Sequence, residues 1–280
     1  MWPDSLAVVG LGALGGSLAW RARVAGVPKV MGFSASPATA VQALRAGALT
    51  DRGLTPADTV RGARLVVLAG TPAEVIALIP IVAPHLAPEA MLTDLAGAKS
   101  KVLGAMRDAG LLARYAGLHP LVSPVEHGFS GARADLFRGA ITYVTADMDG
   151  ESARQAMRAF VSTVLEAEPV VIDADTHDRQ VAWTLELPRA AARAVALALS
   201  SAGLQGAAFD AAVRSATATA RDAGDDWDAR VLANPVAVAA ALEALEAEMA
   251  RMRGAIQRGD AAALRDLSVA AEVLARAVAR

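Results

Sequence analysis

The chain has 280 residues, a formal net charge of -2, no cysteine and 54% apolar residues, which is ample material for buried cores. The missing cysteine excludes disulfides, thiolate metal sites and cysteine nucleophiles, no metal site is expected, and without a basic block nucleic acid is not an expected partner. The first apolar run opens at Leu6, so no secretory leader is expected; the run from Val75 to Leu86 is broken by Pro80 and Pro84, short of the ~20 residues of a membrane helix, and a cytoplasmic location is the default expectation.

In chain order, Leu6–Val9 reads as a buried strand and Leu14–Ala25 as a helix ended by Gly26. Val30–Phe33 reads as a second strand, and Pro37–Ala46 as a helix closed by Gly47. Leu65–Leu68 is a third strand, after which Pro72 opens a helix at its favoured first-turn position. Met91–Thr93 is a fourth strand, followed by a helix from about Ala98 to Ala109. Further strands are expected near Ala116–Leu118, Ile141–Thr145 and Pro169–Ile172. This alternation predicts an α/β fold with a doubly wound, mainly parallel sheet. After Asp173 strand patterns stop and alanine-rich helical stretches run to Arg280. Pro188 marks a kink or a helix start, Asn234-Pro235 a break, and Val236–Met252 and Ala261–Ala279 two long helices. The expected division is therefore 1–172, a Rossmann-type dinucleotide-binding domain, and 173–280, an all-helical substrate and dimerisation domain.

The run Val9-Gly10-Leu11-Gly12-Ala13-Leu14-Gly15 contains Gly-x-Gly-x-x-Gly between a strand and a helix, the context that a dinucleotide fingerprint requires. Gly10 serves the tight turn, Gly12 the approach of the pyrophosphate to the backbone, and Gly15 close packing of helix on strand, with Leu14 among the cofactor-contacting positions. The helix N-terminus offers N–H groups and partial positive charge to phosphate. At the end of the second strand stands Ser34, where an NAD-preferring site usually has a carboxylate for the ribose. Nothing there repels a 2′-phosphate, which tilts the expectation toward NADP, with NAD accepted.

Three more segments lie at strand ends, where ligands bind in open α/β sheets. They are Thr71-Pro72 and Asp94, assigned to the cofactor site, Lys99 just beyond Asp94, and His119-Pro120. Two of the three lysines of the chain fall near Asp94, at Lys99 and Lys101. A histidine before proline is held in extended backbone and points at the same crevice. His119 and Lys99 are the candidate catalytic residues.

Taken together, the glycine motif through Ala19, Thr71-Pro72, Thr93-Asp94 with Lys99, His119-Pro120, Ala132–Gly139, His177-Asp178-Arg179, Leu187-Pro188, Trp227 and Leu232-Ala233-Asn234 resemble the prephenate/arogenate dehydrogenase family. The resemblance implies a Rossmann domain joined to a helical domain that forms a homodimer. It also implies NAD(P)-dependent oxidative decarboxylation of a 4-hydroxycyclohexadiene carboxylate in tyrosine biosynthesis. His119 matches the catalytic histidine of the family. Arg214 fits its carboxylate-binding arginine, with Arg221 as competitor. The chain departs from the family pattern at Gly97, where a serine is usual, at Val125, and at Arg189, which stands where many members have histidine and adds a candidate substrate-binding cation. The alternatives are a related dehydrogenase or imine reductase on another small substrate, and a silent dinucleotide-binding homologue.

Overall fold

β1 (Ser5–Val9) is buried from Leu6 onward and pairs in parallel with β2 (Lys29–Phe33) on one side and β4 (Leu65–Leu68) on the other. β3 (Asp51–Arg52) adds to β2 and β5 (Met91–Asp94) to β4, giving a parallel sheet of order β3-β2-β1-β4-β5. The computed structural model describes residues 2–204, 209–221 and 227–278. Side chains alternate across a strand, and both faces of this sheet are apolar. Leu6, Val8, Leu65 and Val67 join one buried cluster, and Ala7, Val9, Val66 and Leu68 the other. Burying each such valine or leucine contributes roughly 1.5–3 kcal/mol.

The first cluster is closed by α1 (Ala13–Val24), α2 (Pro37–Arg45) and α6 (Glu151–Thr163). The second is closed by α3 (Pro56–Val60), α4 (Pro72–Val82) and α5 (Ser100–Asp108). The two-residue β3 and the short α3 carry too few periodic positions to be read from sequence. A second sheet follows, of order β6-β7-β8, from β6 (Gly117–Pro120), β7 (Ile141–Thr145) and β8 (Glu168–Val171). β6 runs antiparallel to β7, and one parallel bridge, Leu92 to Tyr115, ties its approach to β5.

Contacts divide the chain into two units, Met1–Val181 with Asp222–Asn234, and Ala182–Arg221 with Pro235–Arg280. The division falls after α7 (Ala174–Val181) rather than before it near Asp173, because α7 packs on α5. α10 (Trp227–Ala233) belongs to the first unit through its packing on α4. In the second unit a π-helical turn, Ala182–Glu186, leads into α8 (Leu187–Ser201), with Pro188 in the first turn where its missing N–H is tolerated. α9 (Ala211–Ala216) is short. α11 (Pro235–Arg258) and α12 (Ala261–Val278) pack on each other across a turn in which Asp260 caps α12. Among the described residues no helix is long and apolar enough to cross a membrane.

Candidate active site

The sheet order reverses between β1 and β4, and the glycine motif lies at that point. Gly10 has φ +104°, and a Cβ there would come within 1.8 Å of the Ala69 carbonyl oxygen, so only glycine fits beside the end of β4. A Cβ on Gly15 would sit 2.0 Å from the Gly10 oxygen, so its absence lets α1 approach the strand. Gly12 differs from both. Its φ is -69° and nothing lies within 4 Å of its Cβ position, so neither backbone nor neighbouring protein atoms require a glycine there. It caps α1 without a side-chain hydrogen bond, and the first turn of α1 holds no acidic residue. An open, glycine-lined helix N-terminus of this kind fits a pyrophosphate. Leu14 is half-buried against the core of the first cluster.

The flanking cofactor candidates have local tasks as well. Ser34 follows β2, and its Oγ accepts from Ser36 N at 3.2 Å. Thr71 caps α4 through a reciprocal pair with Glu74, in which Thr71 N donates to Glu74 Oε2 at 2.8 Å and Glu74 N to Thr71 Oγ1 at 3.3 Å. Pro72 is buried in the first turn behind that cap.

Asp94 and Lys99 bond each other inside the protein. Both side chains are fully buried, and Lys99 Nζ donates to Asp94 Oδ1 and to the Leu118 carbonyl, each at 2.7 Å. Tyr115 Oη donates to Asp94 Oδ2 at 2.6 Å, and Ala96 N to Asp94 Oδ1 at 2.7 Å. Burial pulls the Lys99 ammonium below its ordinary range, partly offset by Asp94, and pushes the Tyr115 phenol well up. Sequence reading expects Asp94 at the cofactor and Lys99 in catalysis; in the structure the pair braces the turn after β5 against β6, through the carbonyl one residue before His119.

Sequence reasoning gave no role to the partner of His119. His119 Nδ1 lies 2.9 Å from His177 Nε2, and His177 Nδ1 lies 2.8 Å from Asp178 Oδ1. Asp178 in turn accepts from Lys99 N at 2.8 Å and Ser100 N at 2.9 Å, capping α5 from α7. Burial pushes the Asp178 carboxyl up, but the bonds from His177 and these two amides outweigh it and hold the group below the usual carboxylate range. Burial also lowers the His177 imidazole, the bond to Asp178 opposing it. The protons follow from this. An ionised Asp178 takes the Nδ1 proton of neutral His177, so His177 Nε2 is an acceptor, so His119 Nδ1 carries a proton and His119 Nε2 carries the lone pair. The rings are fixed by edge contacts of His177 with His119 and with Tyr143, centroids 5.1 and 5.4 Å apart. The sequence signal was the adjacent His-Asp pair on a helix.

In the second unit Arg189 Nη1 donates to the Leu185 carbonyl at 3.1 Å. Arg214 is exposed on α9 and donates to the Phe209 carbonyl at 2.6 Å. The side chain of Arg221 lies outside the described residues. Val125, in the loop after β6, is 90% exposed, so it lines no buried surface of the first unit.

The profile of the family described as prephenate dehydrogenase, nucleotide-binding domain, matches residues 18–172. The chain belongs to the prephenate dehydrogenase family. With that family it joins the NAD-dependent oxidoreductases. A probable prephenate dehydrogenase, NovF of Streptomyces niveus, is 28% identical over 250 residues, covering 88% of this chain and 67% of that one. The prephenate dehydrogenase of Bacillus subtilis (strain 168) is 31% identical over 147 residues, 51% of this chain and 39% of the relative. The crystal structure of prephenate dehydrogenase from Aquifex aeolicus in complex with hydroxyphenyl propionate and NAD+ superposes with a TM-score of 0.88 at 19% identity, covering 99% of both chains. At that identity the likeness shows the fold. The matched residues take in β2 to β5 of the parallel sheet and all three strands of the second sheet, within the first unit.

Proposed function

We propose that this chain oxidatively decarboxylates prephenate or arogenate in tyrosine biosynthesis. The observation that carries the reading is the orientation of His119, whose Nδ1 is engaged by His177 and Asp178 so that Nε2 presents a lone pair. The substrate hydroxyl gives its proton to Nε2, the hydrogen on the same carbon departs as hydride, and loss of the ring carboxylate as CO2 aromatises the ring. NAD or NADP, when bound at Gly10, Gly12 and Gly15, supplies the hydride acceptor. His119 becomes an imidazolium whose Nδ1 proton is already bonded to His177, with the Asp178 charge behind it. The carboxylate of the substrate is assigned to Arg214, with Arg189 as a second cation.

The absence of a carboxylate at Ser34 supports use of NADP alongside NAD. The exposed Val269, Val273 and Leu274 of α12, with Met249 and Ile256 of α11, support a homodimer built on these helices. A cytoplasmic setting suits a biosynthetic reaction of this kind. A related reaction that uses Lys99 as acid or base is disfavoured, because its ammonium is buried and bonded. The test is reduction of NAD and of NADP by the purified protein with prephenate, arogenate, and a panel of imines and hydroxyacids. Turnover confined to the cyclohexadienes supports the proposal, and turnover only on the panel overturns it.

A further inference from the structure

Gly97 lies in the turn between β5 and α5, in a backbone conformation open to any residue, yet a side chain there would have to displace Arg230. A Cβ there would meet Arg230 Cδ at 2.8 Å and Arg230 Cγ at 3.5 Å, and would lie 3.8 Å from His119 Nε2. Arg230 therefore occupies the space that a side chain at position 97 would take, and its stem and the lone-pair nitrogen of His119 flank the same spot. Nothing adventitious holds α10 there. Lys101 Nζ donates to the Leu232 carbonyl at 2.9 Å, and Asn234 Nδ2 donates to the Asp178 carbonyl at 2.7 Å, so α10 is tied to α5 and to the helix that carries the relay. Arg230 is half-buried in the first unit.

We propose that Arg230 is a further catalytic residue of this site, and that Gly97 exists to admit it. The guanidinium begins one bond beyond Cδ, and the substrate atom that must approach His119 Nε2 is the hydroxyl oxygen. A guanidinium has donors and no acceptor, so it bonds that oxygen through a lone pair, aims the hydroxyl proton at Nε2, and stabilises the negative charge that grows on oxygen as the proton leaves. The inference rests on the proposed dehydrogenase reading and names the group that handles the hydroxyl end of the substrate.

The test combines turnover with binding of 4-hydroxyphenylpropionate, a phenol that presents a hydroxyl to the same two groups. Arg230→Leu keeps the apolar stem and removes the donors. It is expected to lower kcat about tenfold or more with KM changed less, and to weaken binding of the phenol about tenfold, the usual scale for a hydrogen bond to a charged group. Arg230→Lys should recover part of both. Gly97→Ala should displace the stem and reproduce the loss, yet add little in the Arg230→Ala background, since the two positions compete for one space. Wild-type turnover and phenol binding that both survive Arg230→Leu unchanged would overturn the inference while leaving the dehydrogenase reading intact. A wild type that binds the phenol through Arg230 yet turns over neither cyclohexadiene would overturn the reading and the catalytic role with it, leaving Arg230 as a group that binds the hydroxyl.

Discussion

His177 Nε2 stands 2.9 Å from His119 Nδ1, and this contact determines which nitrogen of His119 can act as a base. Because Asp178 claims the other side of His177 at 2.8 Å, the order of protons along the three residues is fixed from the carboxylate outward.

In histidine labelled with 15N, His119 is therefore expected to show a protonated Nδ1 and a pyridine-like Nε2 at neutral pH. In Asp178→Asn the order is free to reverse. Nuclear magnetic resonance spectra in which wild-type His119 carries its proton on Nε2 would contradict the relay.

Replacing His119 with Asn should lower kcat by ~100- to 10,000-fold, the range for a general base, with a much smaller change in KM. Steady-state kinetics on whichever cyclohexadiene is turned over makes the comparison. Retention of most of kcat removes His119 from the chemistry.

Asp94→Asn leaves the Lys99 ammonium buried without its counter-charge and should cost about 3–5 kcal/mol of stability. The double change Asp94→Leu with Lys99→Met removes both charges and should restore much of that loss. Urea denaturation measures both. A single variant as stable as wild type would show that the pair does not brace the β5–α5 turn.

The relay makes the fold acid-labile. Folded His177 has a lowered pKa because of burial, so below the ordinary imidazole value of ~6.5 the unfolded chain binds a proton that the folded chain refuses. Its contribution is full above that value and declines as pH falls toward the folded pKa. Asp178, held below the usual carboxylate range, adds a loss in the same direction at still lower pH. Unfolding midpoints measured from pH 7.5 to pH 5 should fall more steeply in wild type than in His177→Asn. Equal slopes would remove His177 as the source.

Most of the Rossmann framework was legible because strands buried on both faces are near-continuous apolar runs, and because Gly10 and Gly15 hold positions where a Cβ collides with backbone. His119 was singled out by its place before Pro120, and its contact with His177 was not legible. The burial of Asp94 and Lys99 was not legible, because a strand end says where a residue lies along the sheet, not whether its side chain turns to the crevice or into the protein. His177 meets His119, and Arg230 fills the space beside Gly97, across long stretches of chain, and such pairing leaves no periodic trace in one sequence. The boundary near Asp173 tracked the change of pattern from strand to helix, whereas contacts keep α7 and α10 with the sheet that they support.

The most direct measurement is the single-turnover rate of dinucleotide reduction at saturating substrate in wild type and in Asp178→Asn. Asn retains an oxygen to cap α5 but presents no charge to fix the tautomer of His177, and so none to set that of His119. The account predicts that the burst of reduced dinucleotide slows by ~100-fold or more in the variant while the protein stays folded, the pattern expected when a base is held in the wrong tautomer. A rate within about twofold of wild type would contradict it, because a base that needs no orientation is outside any scale on which such a relay matters.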